Sequence, residues 1–563
     1  MKVVIVGGVA GGATAAARIR RLNEHAEITV FERSGYISYA NCGLPYYIGD
    51  VITDPEELTL QTPESFFKRF RINMKNHHEV ISIHSECKTV SVKNLENGEI
   101  FEENYDKLIL SPGAKPTQPR LPGVGIDKIF TLRTVEDTFR IKEYINKNHP
   151  KSAVLAGGGF IGLELAENLR ELGMDVTIVQ RPKQLMNPFD PDMASMIHNE
   201  MRKHGIKLVL GYTVEGFKEK DNGVEVLLKD NPSLQADMVV LAIGVTPDTV
   251  LAKEAGLELG IKESIVVNDR METSVPDIYA AGDAVQVKHY VTGNDALISL
   301  AGPANKQGRI IADNICGGDS RYLGSQGSSV IKVFDMTAAT TGINETNAQK
   351  SGLEVDTVIL SPMSHAGYYP GGKVMTMKVI FEKESYRLLG AQIIGYEGVD
   401  KRIDVLATAI HAGLNATQLK DLDLAYAPPY SSAKDPVNMA GFMIDNIAKG
   451  TLKQWHLEDM DKISKDKDVV LLDVRTVGEF SRGHIDGFKN IPVDELRERI
   501  SEIEKGKPVY LICQSGLRSY IASRILEGNG YETYNFSGGF RFYDAVVNDR
   551  ALIERAYACG MDY

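Results

Sequence analysis

The sequence predicts a multidomain α/β protein, and three observations support that fold class. The chain of 563 residues is too long for one hydrophobic core and should hold three or four domains. Two short apolar strands, at residues 3–6 and 153–156, each lead through a glycine-rich turn into a helix, as in parallel α/β units. A third strand, loop and helix follow at residues 509–519. The chain therefore predicts several α/β domains in series.

Composition and charge favour a cytoplasmic protein that acts on small molecules. The formal net charge of −12 argues against nucleic acid or an anionic membrane as the main partner. A strand begins at Val3, which leaves no room for a signal peptide, and no apolar run reaches membrane-spanning length. The five cysteines are scattered, at positions 42, 87, 316, 513 and 559, so they predict neither a disulfide framework nor a metal site.

The first glycine turn matches a dinucleotide-binding fingerprint in part. Gly7 and Gly12 stand at the outer positions of Gly-x-Gly-x-x-Gly, whereas Val9 occupies the middle one. Glu32, followed by Arg33, comes about 20 residues later at a strand end, where a carboxylate can bind ribose hydroxyls. The tight turn and the helix N-terminus would meet a pyrophosphate, so this unit is predicted to bind a nucleotide.

The second glycine turn matches the same fingerprint in full, with Gly157, Gly159 and Gly162. Its next strand, at residues 176–179, ends in Gln180-Arg181 instead of an acid. An acid would repel the extra phosphate of NADP and an arginine could accept it, so NADH and NADPH both stay open. Two such units indicate two nucleotides, one tightly held flavin and one exchanging nicotinamide.

Further turn motifs lie between and after these units. Ser111, Pro112 and Gly113 close a strand at residues 108–110, and a similar pattern recurs at 241–247. We interpret these two segments as crossings between the nucleotide domains. Gly282 and Asp283 end another strand, in a position suited to a ribityl hydroxyl and a phosphate.

Cys42, in the turn formed by residues 36–46, is the predicted centre of the chemistry. The next cysteine in the chain is Cys87, so Cys42 cannot form the short bridge of a dithiol enzyme. Its partner sulfur must therefore come from a small molecule or from another chain. Gly43 and Pro45 beside it indicate a shaped polar turn and argue against a buried, inert cysteine.

Cys513 is the second predicted sulfur site. It ends a strand and opens a glycine-containing loop that enters a helix, which would surround the sulfur with N–H groups suited to an anionic persulfide. Arg518 closes a Cys-x4-Arg loop. This loop resembles that of the rhodanese domains, whose related phosphatases have one residue more between cysteine and arginine, so the resemblance favours sulfur over phosphate.

The order of these motifs resembles the two-dinucleotide-binding flavoprotein disulfide reductases. The turn around Cys42 is similar to their single-cysteine branch, above all the coenzyme A disulfide reductases, and the C-terminal module resembles a rhodanese domain. The resemblance implies a homodimer with FAD, NAD(P)H and coenzyme A as cofactors. Electrons would pass from NAD(P)H through FAD to a mixed disulfide of Cys42 and coenzyme A, reducing small-molecule disulfides, persulfides or polysulfides. Cys513 would carry sulfane sulfur.

The resemblance also implies roles for individual residues. Tyr368 and Tyr426 match tyrosines that reach the partner's cysteine, where a phenol could donate a proton to a departing thiolate. Phe160 matches the aromatic residue that covers the flavin. The positions that match coenzyme A contacts are Arg21, Ser38, Asn41, Asn305 and Arg309.

The same resemblance sets the expected domain limits. They are an FAD-binding domain at 1–112 and 245–322, an NAD(P)H-binding domain at 113–244, an α+β dimerisation domain at 323–445, a linker at 446–455 and a rhodanese domain at 456–563.

Two alternative functions stay open. One is an NADH oxidase or peroxidase in which Cys42 cycles through a sulfenic acid. The other is a non-catalytic flavin redox sensor whose C-terminal module binds partners. Within the reductase hypothesis, the sequence does not rank coenzyme A disulfide against coenzyme A persulfide or polysulfide.

Overall fold

The computed structural model describes residues 1–221 and 223–559, with side chains as far as Arg555. It divides into two compact units, one of Met1–Lys183 with Gly205–Gly327, the other of Gln184–His204 with the chain from Ser328 onward. Among the described residues, no helix combines the length and the apolar character that crossing a membrane requires.

The first unit contains strands β1 to β20. In chain order they are Lys2–Val6, Glu27–Phe31, Asn73–Lys75, His78–His84, Thr89–Asn94, Ile100–Asn104, Lys107–Leu110, Ala114–Pro116, Ile129–Thr131, Ser152–Ala156, Asp175–Gln180, Lys207–Leu210, Val214–Lys220, Gly223–Leu228, Leu234–Ala236, Met238–Leu241, Val245–Pro247, Ile278–Ala280, Val287–Lys288 and Asp295–Ala296.

The second unit contains strands β21 to β30. They are Ser329–Val333, Met336–Gly342, Val355–Leu360, Met375–Glu382, Leu388–Gly395, Gln454–Trp455, Val470–Asp473, Lys489–Asn490, Val509–Ile512 and Thr533–Phe536.

The α-helices α1 to α15 are numbered through the whole chain. They are Ala10–Leu22, Leu44–Ile48, Pro63–Phe70, Val135–Asn148, Phe160–Glu171, Pro191–Lys203, Val250–Glu254, Ala301–Ile315, Glu345–Lys350, Val399–His411, Pro436–Ala448, Met460–Ile463, Val477–Arg482, Leu517–Glu527 and Gly539–Cys559.

Two five-stranded parallel sheets organise the first unit. The first has the order β18-β7-β1-β2-β3 and the second β12-β11-β10-β16-β9. Their central strands, β1 and β10, are largely buried, as expected for strands covered on both faces. Parallel strands end at one edge of a sheet, so the loops after β1, β2, β7 and β18 meet there.

Close helix packing supports the first sheet. Helix α1 is rich in alanine and glycine, and it packs on α8 so tightly that a Cβ on Gly308 would lie 2.4 Å from the carbonyl oxygen of Gly11. The core beneath includes Ile5, Ile19 and Ile109, all fully buried. This packing fixes the start of α1 against the strand ends.

The second unit holds an antiparallel sheet, β21-β22-β25-β24-β23, and a parallel sheet, β26-β30-β29-β27-β28. Central strand β25 is buried along its whole length. The parallel sheet has its own apolar core, which includes Leu472, Ile491, Leu511 and Leu526. The expected α/β class with an α+β segment is therefore what the chain forms.

Candidate functional site

The first glycine turn depends on two close backbone approaches. Gly7 has φ +96°, and a Cβ there would lie 2.1 Å from the carbonyl oxygen of Ser111. A Cβ on Gly12 would lie 1.9 Å from the carbonyl oxygen of Gly7. Side chains at either position would separate β1 from β7 or from α1. The two glycines therefore bring three elements together, as the fingerprint predicts.

Glu32 stabilises this turn through two hydrogen bonds from backbone N–H groups. Its Oε2 accepts a hydrogen bond from the Gly8 N–H at 2.8 Å, and its Oε1 accepts one from the Ser34 N–H at 2.9 Å. The side chain is 8% exposed, and burial raises the pKa of the carboxyl despite those two bonds. Glu32 thus stands at the predicted strand end and shapes the loop.

A cavity of about 240 Å³ opens beside Glu32. Gly7, Arg33 and Pro112 also line it. Arg33 Nη2 pairs with Asp248 Oδ2 at 2.8 Å, which closes one side. The cavity is therefore continuous with the glycine turn.

Asp283 is tied to an arginine that the sequence did not single out. Its Oδ2 accepts from Arg133 Nη2 at 2.7 Å, and Arg133 Nε also donates to the Ala114 carbonyl at 3.1 Å. The neighbouring Gly282 N–H donates to Gln307 Oε1 at 2.8 Å, and Gly113 has φ +70° close to the Arg133 guanidinium. Arg133 lies in no glycine motif, so the sequence offers no local signal for it.

Cys42 lies in the short 3-10 turn Asn41–Gly43 that precedes α2. It is an exposed free thiol. The turn is anchored to the first glycine loop, because the Ser38 N–H donates to the Gly8 carbonyl at 2.9 Å. Asn41 makes a separate contact: with its side-chain amide oriented to satisfy both bonds, Oδ1 accepts from Arg133 Nη1 at 3.2 Å and Nδ2 donates to the Arg133 carbonyl at 3.1 Å. The structure therefore places Cys42, Ser38 and Asn41 at the edge of the first nucleotide loop.

Acidic groups surround Cys42. Although the residue is exposed, partial desolvation of its thiol by neighbouring atoms raises the pKa most, the Glu164 and Asp283 carboxylates raise it further, and Arg133 opposes them. Glu164, on α5, has a pKa raised to about 7 by burial and then by Glu167. Sequence reasoning missed Glu164, because the folding of α2 against α5 is what brings it to Cys42.

The second glycine turn has the same close backbone approaches as the first, and the neutral Gln180 takes the place of Glu32. A Cβ on Gly157 would lie 2.2 Å from the Ala242 carbonyl oxygen, and one on Gly162 would lie 2.1 Å from the Gly157 carbonyl oxygen. Gln180 Oε1 accepts from the Gly158 N–H at 3.0 Å, as Glu32 does from Gly8. Gly159 faces open space.

Phe160 begins α5 directly after this turn and is half-buried. Arg181 follows Gln180 and is exposed. NADH and NADPH therefore both stay open as the electron donor, as the sequence predicted.

Three arginines stand near the end of α1, and one of them, Arg21, is a predicted coenzyme A contact. Arg20 is buried, and its guanidinium donates to the carbonyls of Phe70 and Arg71 at 2.7 and 2.9 Å. Arg18 pairs with Asp313 at 2.7 Å. Arg21 is exposed. Helical periodicity turns neighbouring arginines to different surroundings, which leaves Arg21 as the candidate cation.

On α8, Asn305 and Arg309 lie one turn apart and are both exposed. Asn305 Oδ1 accepts from Thr14 Oγ1 at 2.5 Å, and its Nδ2 donates to the Ala301 carbonyl at 2.9 Å. Asn305 therefore bridges α8 to α1, and Arg309 stands beside it.

Tyr368 and Tyr426 meet, although 58 positions separate them. Their hydroxyl oxygens are 2.6 Å apart, and the side chains are 75% and 45% exposed. The shared hydrogen bond raises the pKa of Tyr426. The two phenols form one exposed polar pair.

Cys513 directly follows β29, opens the loop that leads into α14, and is 1% exposed. Its sulfur accepts from the Gly516 N–H at 3.1 Å and from the Ser519 hydroxyl at 3.2 Å. Gly516 has φ +96°, which turns its N–H toward the sulfur. Of the predicted N–H groups, that of Gly516 donates to the sulfur, and the Ser519 hydroxyl is a second donor that the prediction did not include.

Arg518 forms an ion pair with Glu479. Its Nη1 and Nη2 each donate to a carboxylate oxygen of Glu479 at 2.7 Å. That bond holds the pKa of Glu479 at about 2. Sequence reasoning named Arg518 without its partner, which lies 39 residues earlier.

The remaining cysteines and one cluster of possible metal ligands lie outside the sites described above. Cys87 is exposed and Cys316 half-buried, both as free thiols, and the side chain of Cys559 lies outside the described residues. Within the described chain, one group of possible metal ligands combines Glu200, His204 and Asp335. The Glu200 carboxylate there already accepts from the Tyr396 hydroxyl at 2.7 Å.

Family comparisons match three consecutive stretches. The pyridine nucleotide-disulphide oxidoreductase family matches residues 1–308, its dimerisation domain 328–436, and the rhodanese-like domain 456–545. A coenzyme A disulfide reductase of Staphylococcus aureus (strain NCTC 8325 / PS 47) is 38% identical over 442 residues, which are 78% of this chain and 99% of that protein.

Solved structures are similar over longer stretches. Reduced Bacillus anthracis CoADR-RHD has a TM-score of 0.95 at 48% identity, covering 98% of both chains. An NAD-dependent persulfide reductase from A. fulgidus has a TM-score of 0.90 at 38% identity, covering 96% of this chain and 100% of that one. The water-forming NADH oxidase of Lactobacillus brevis has a TM-score of 0.77 at 30% identity, covering 80% and 99%.

These matches confirm the resemblance that the motifs predicted, including the two nucleotide-binding folds, the dimerisation domain and the rhodanese-like module. The chain belongs to the pyridine nucleotide-disulphide oxidoreductase family, as a flavoprotein reductase that also carries a rhodanese-like domain.

Proposed function

We propose that the protein is a homodimeric, FAD- and coenzyme A-dependent reductase. It uses NAD(P)H to reduce coenzyme A disulfide, or the persulfide or polysulfide of coenzyme A, through a mixed disulfide between Cys42 and coenzyme A. The observation that carries this proposal is Cys42, an exposed free thiol on a turn hydrogen-bonded to the first glycine loop. The names of the Staphylococcus aureus and A. fulgidus relatives support the two substrate classes.

The residues of the first loop fit FAD. A cradle that admits no Cβ at Gly7 or Gly12 lies against a cavity of about 240 Å³, which suits a pyrophosphate with an adenosine beside it. The residues assigned to hold it are Gly7, Gly12, Glu32, Arg33, Ser111, Pro112, Gly113, Gly282 and Asp283. FAD, when bound, supplies the relay of an electron pair from a nicotinamide to a sulfur–sulfur bond.

The second loop fits NAD(P)H for the same reasons. Gly157 and Gly162 close the turn, and the open space at Gly159 admits a close approach of phosphate. Phe160, which begins α5 directly after this turn, would cover the flavin until the nicotinamide binds. We assign this loop to residues 113–244, and the first to 1–112 with 245–322. Strands β8 and β17, which pair antiparallel, then form the crossing between them.

Coenzyme A needs cations for its phosphates and a path to Cys42. We assign Arg21 and Arg309 to the phosphates, since both are exposed at the paired helices α1 and α8. Asn305, Ser38 and Asn41 complete the path, the last two on the turn of Cys42 itself.

At Cys42 the chain's own groups govern proton transfer. The Cys42 thiolate attacks a disulfide, one S–S bond forms as another breaks, and the leaving thiolate takes up a proton. Because the thiol pKa of Cys42 is raised, Cys42 needs help to ionise near neutral pH. We assign that proton exchange to Glu164, whose pKa is raised to about 7 and whose carboxylate acts electrostatically on the Cys42 thiol.

We assign Tyr368 and Tyr426, within the dimerisation segment 323–445, to the Cys42 site of the partner subunit. Their exposure and shared hydrogen bond support a role beyond their own fold. One phenol would donate a proton to the departing coenzyme A thiolate, and the other would hold it in position.

Cys513, in the segment 456–563 after the linker 446–455, would carry sulfane sulfur. It would hand that sulfur to the thiol of coenzyme A, whose arm then presents the persulfide to Cys42. Because both sites lie in one chain, the effective concentration of the second step exceeds that of free diffusion.

Mass spectrometry of the purified, unreduced protein tests the proposal. We expect coenzyme A linked to the Cys42 peptide of the wild-type protein, and none on that peptide in Cys42→Ser. A sulfenic acid at Cys42 without coenzyme A would instead support the oxidase or peroxidase alternative. An unmodified Cys42 that gains no adduct from added coenzyme A disulfide would contradict the proposed reductase.

A further inference from the structure

The buried hydroxyl of Ser519 has two acceptors at nearly the same distance. Its Oγ lies 3.2 Å from the Cys513 sulfur and 3.1 Å from the Gly516 carbonyl oxygen. A hydroxyl group carries one hydrogen, so it donates fully to one of these acceptors at a time. The direction of that hydrogen therefore decides whether the sulfur has a hydroxyl donor.

The Gly516 carbonyl oxygen accepts from two further donors. The Tyr520 N–H donates to it at 3.1 Å, and Asn535 Nδ2 donates to it at 3.2 Å. Because a carbonyl oxygen has two lone pairs, these two donors fill its capacity and leave the hydrogen of Ser519 for the sulfur. Without the Asn535 amide, one lone pair of the carbonyl oxygen would be open to Ser519.

Asn535 reaches the loop through the register of the parallel sheet. It lies on β30 opposite Leu511, two residues before Cys513, and it is 3% exposed. Among the described residues its Oδ1 has no hydrogen-bond partner, although buried amide groups are normally bonded. An apolar side chain would avoid the cost of burying that oxygen, so the bond donated to Gly516 is what Asn535 contributes.

We propose that Asn535 is a positioning residue for Cys513. By filling the Gly516 carbonyl oxygen, Asn535 directs the hydroxyl hydrogen of Ser519 to the Cys513 sulfur. Ser519 then joins the Gly516 N–H as a second donor, and both bonds stabilise the thiolate, which is the form of the sulfur that attacks. The inference deepens the sulfur-carrying role proposed for Cys513 and rests on it.

The test follows ionisation of Cys513 in the full-length protein. The ultraviolet absorbance of the thiolate is titrated against pH, as the difference between each protein and its Cys513→Ser counterpart, which needs no reagent to reach the buried sulfur. Ser519→Ala removes the hydroxyl donor and should raise the midpoint by about one pH unit. Asn535→Leu should raise it by about half a unit, because the hydrogen of Ser519 then divides between the two acceptors.

The double variant Asn535→Leu/Ser519→Ala separates this role from a structural one. If Asn535 acts through Ser519, the double variant should have the midpoint of Ser519→Ala alone, because no hydroxyl hydrogen remains to be directed. If Asn535 only supports the fold of the loop, the two shifts should add.

Asn529→Leu is the matched control. Asn529 Nδ2 donates to the Ile525 carbonyl at 2.8 Å, at the opposite end of α14 from the Cys513 loop, so the same substitution should leave the midpoint in place. Charged residues in and next to the loop are unchanged in all of these variants, so their effects cancel in the comparison. They are Asp473, Arg475, Glu479, Arg518 and Arg541.

Three results would overturn the inference. They are a wild-type midpoint in folded Asn535→Leu, a wild-type midpoint in Ser519→Ala, and additive shifts in the double variant. Asn535→Ala removes the same donor and takes the place of Asn535→Leu if leucine prevents folding.

The carrier role is tested separately. Pantetheine persulfide is added to the wild-type protein without NAD(P)H, and the persulfide on Cys513 is followed by alkylation and mass spectrometry. No persulfide on Cys513 would overturn the carrier role and leave the shifts of the midpoint as they are. The two failures are therefore distinguishable.

Discussion

Cys42 and Cys513 hold their sulfur atoms in opposite ways. Cys42 is exposed on a turn where partial desolvation of the thiol, and then nearby carboxylates, raise its pKa. Cys513 is 1% exposed, and two neutral donors point at its sulfur. The exposed position of Cys42 suits a thiol that large substrates must reach. Its raised pKa means that it needs a proton acceptor before it can attack. The buried position of Cys513 suits a small sulfur anion held in place. The difference indicates a division of labour between reduction and transfer.

The largest expected effect separates the two thiols by substrate. Cys42→Ser should lose NAD(P)H-driven reduction of every disulfide and persulfide, by about a thousandfold or more, because no other group replaces the attacking sulfur. Cys513→Ser should keep reduction of added coenzyme A disulfide and lose sulfide release from donors that require the rhodanese-like site. NAD(P)H oxidation and sulfide release are the two measurements.

Each of these two expectations has an outcome that would contradict it. If Cys42→Ser keeps a substantial part of the wild-type turnover with its FAD bound, the single-cysteine mechanism is wrong. If Cys513→Ser loses activity equally on both substrate types, Cys513 is structural. If it loses none on either, the two thiols work independently.

A second prediction concerns the tyrosine pair and the dimer. Mixing Cys42→Ser subunits with Tyr368→Phe/Tyr426→Phe subunits should restore activity to heterodimers, because one of their two sites regains Cys42 and both phenols. We expect at most about half of the wild-type turnover, measured as NAD(P)H oxidation with coenzyme A disulfide. Heterodimers that form but stay inactive would mean that the tyrosines serve their own subunit.

The two thiols also differ in how much of their surroundings the sequence predicts. The glycine turns, Glu32 and the Cys513 loop follow from spacings of a few residues, because backbone turns are local structures. The pairs Arg133–Asp283 and Arg518–Glu479 join residues 150 and 39 positions apart, and tertiary packing alone selects them. Arg20 shows the same limit, since its charge indicates solvent while its guanidinium is buried on backbone carbonyls. Local sequence patterns therefore predict the positions of the site residues. Ion pairs between residues far apart in the sequence determine the local charge at those sites.

The smallest expected effect tests whether acidic surroundings tune Cys42. Glu164→Gln removes a carboxylate that raises the pKa of the Cys42 thiol, so that pKa should fall, by less than about one unit. The pKa of Glu164 is about 7, so wild type and variant should behave alike well below that pH and diverge above it. Iodoacetamide alkylation of Cys42, followed against pH by mass spectrometry, gives the midpoint directly. Glu171→Gln, an exposed change at the end of the same helix, is the matched control and should leave the midpoint in place. A midpoint that stays or rises in Glu164→Gln would show that Glu164 does not govern ionisation of Cys42, and burial together with Asp283 would then explain the raised pKa of the thiol.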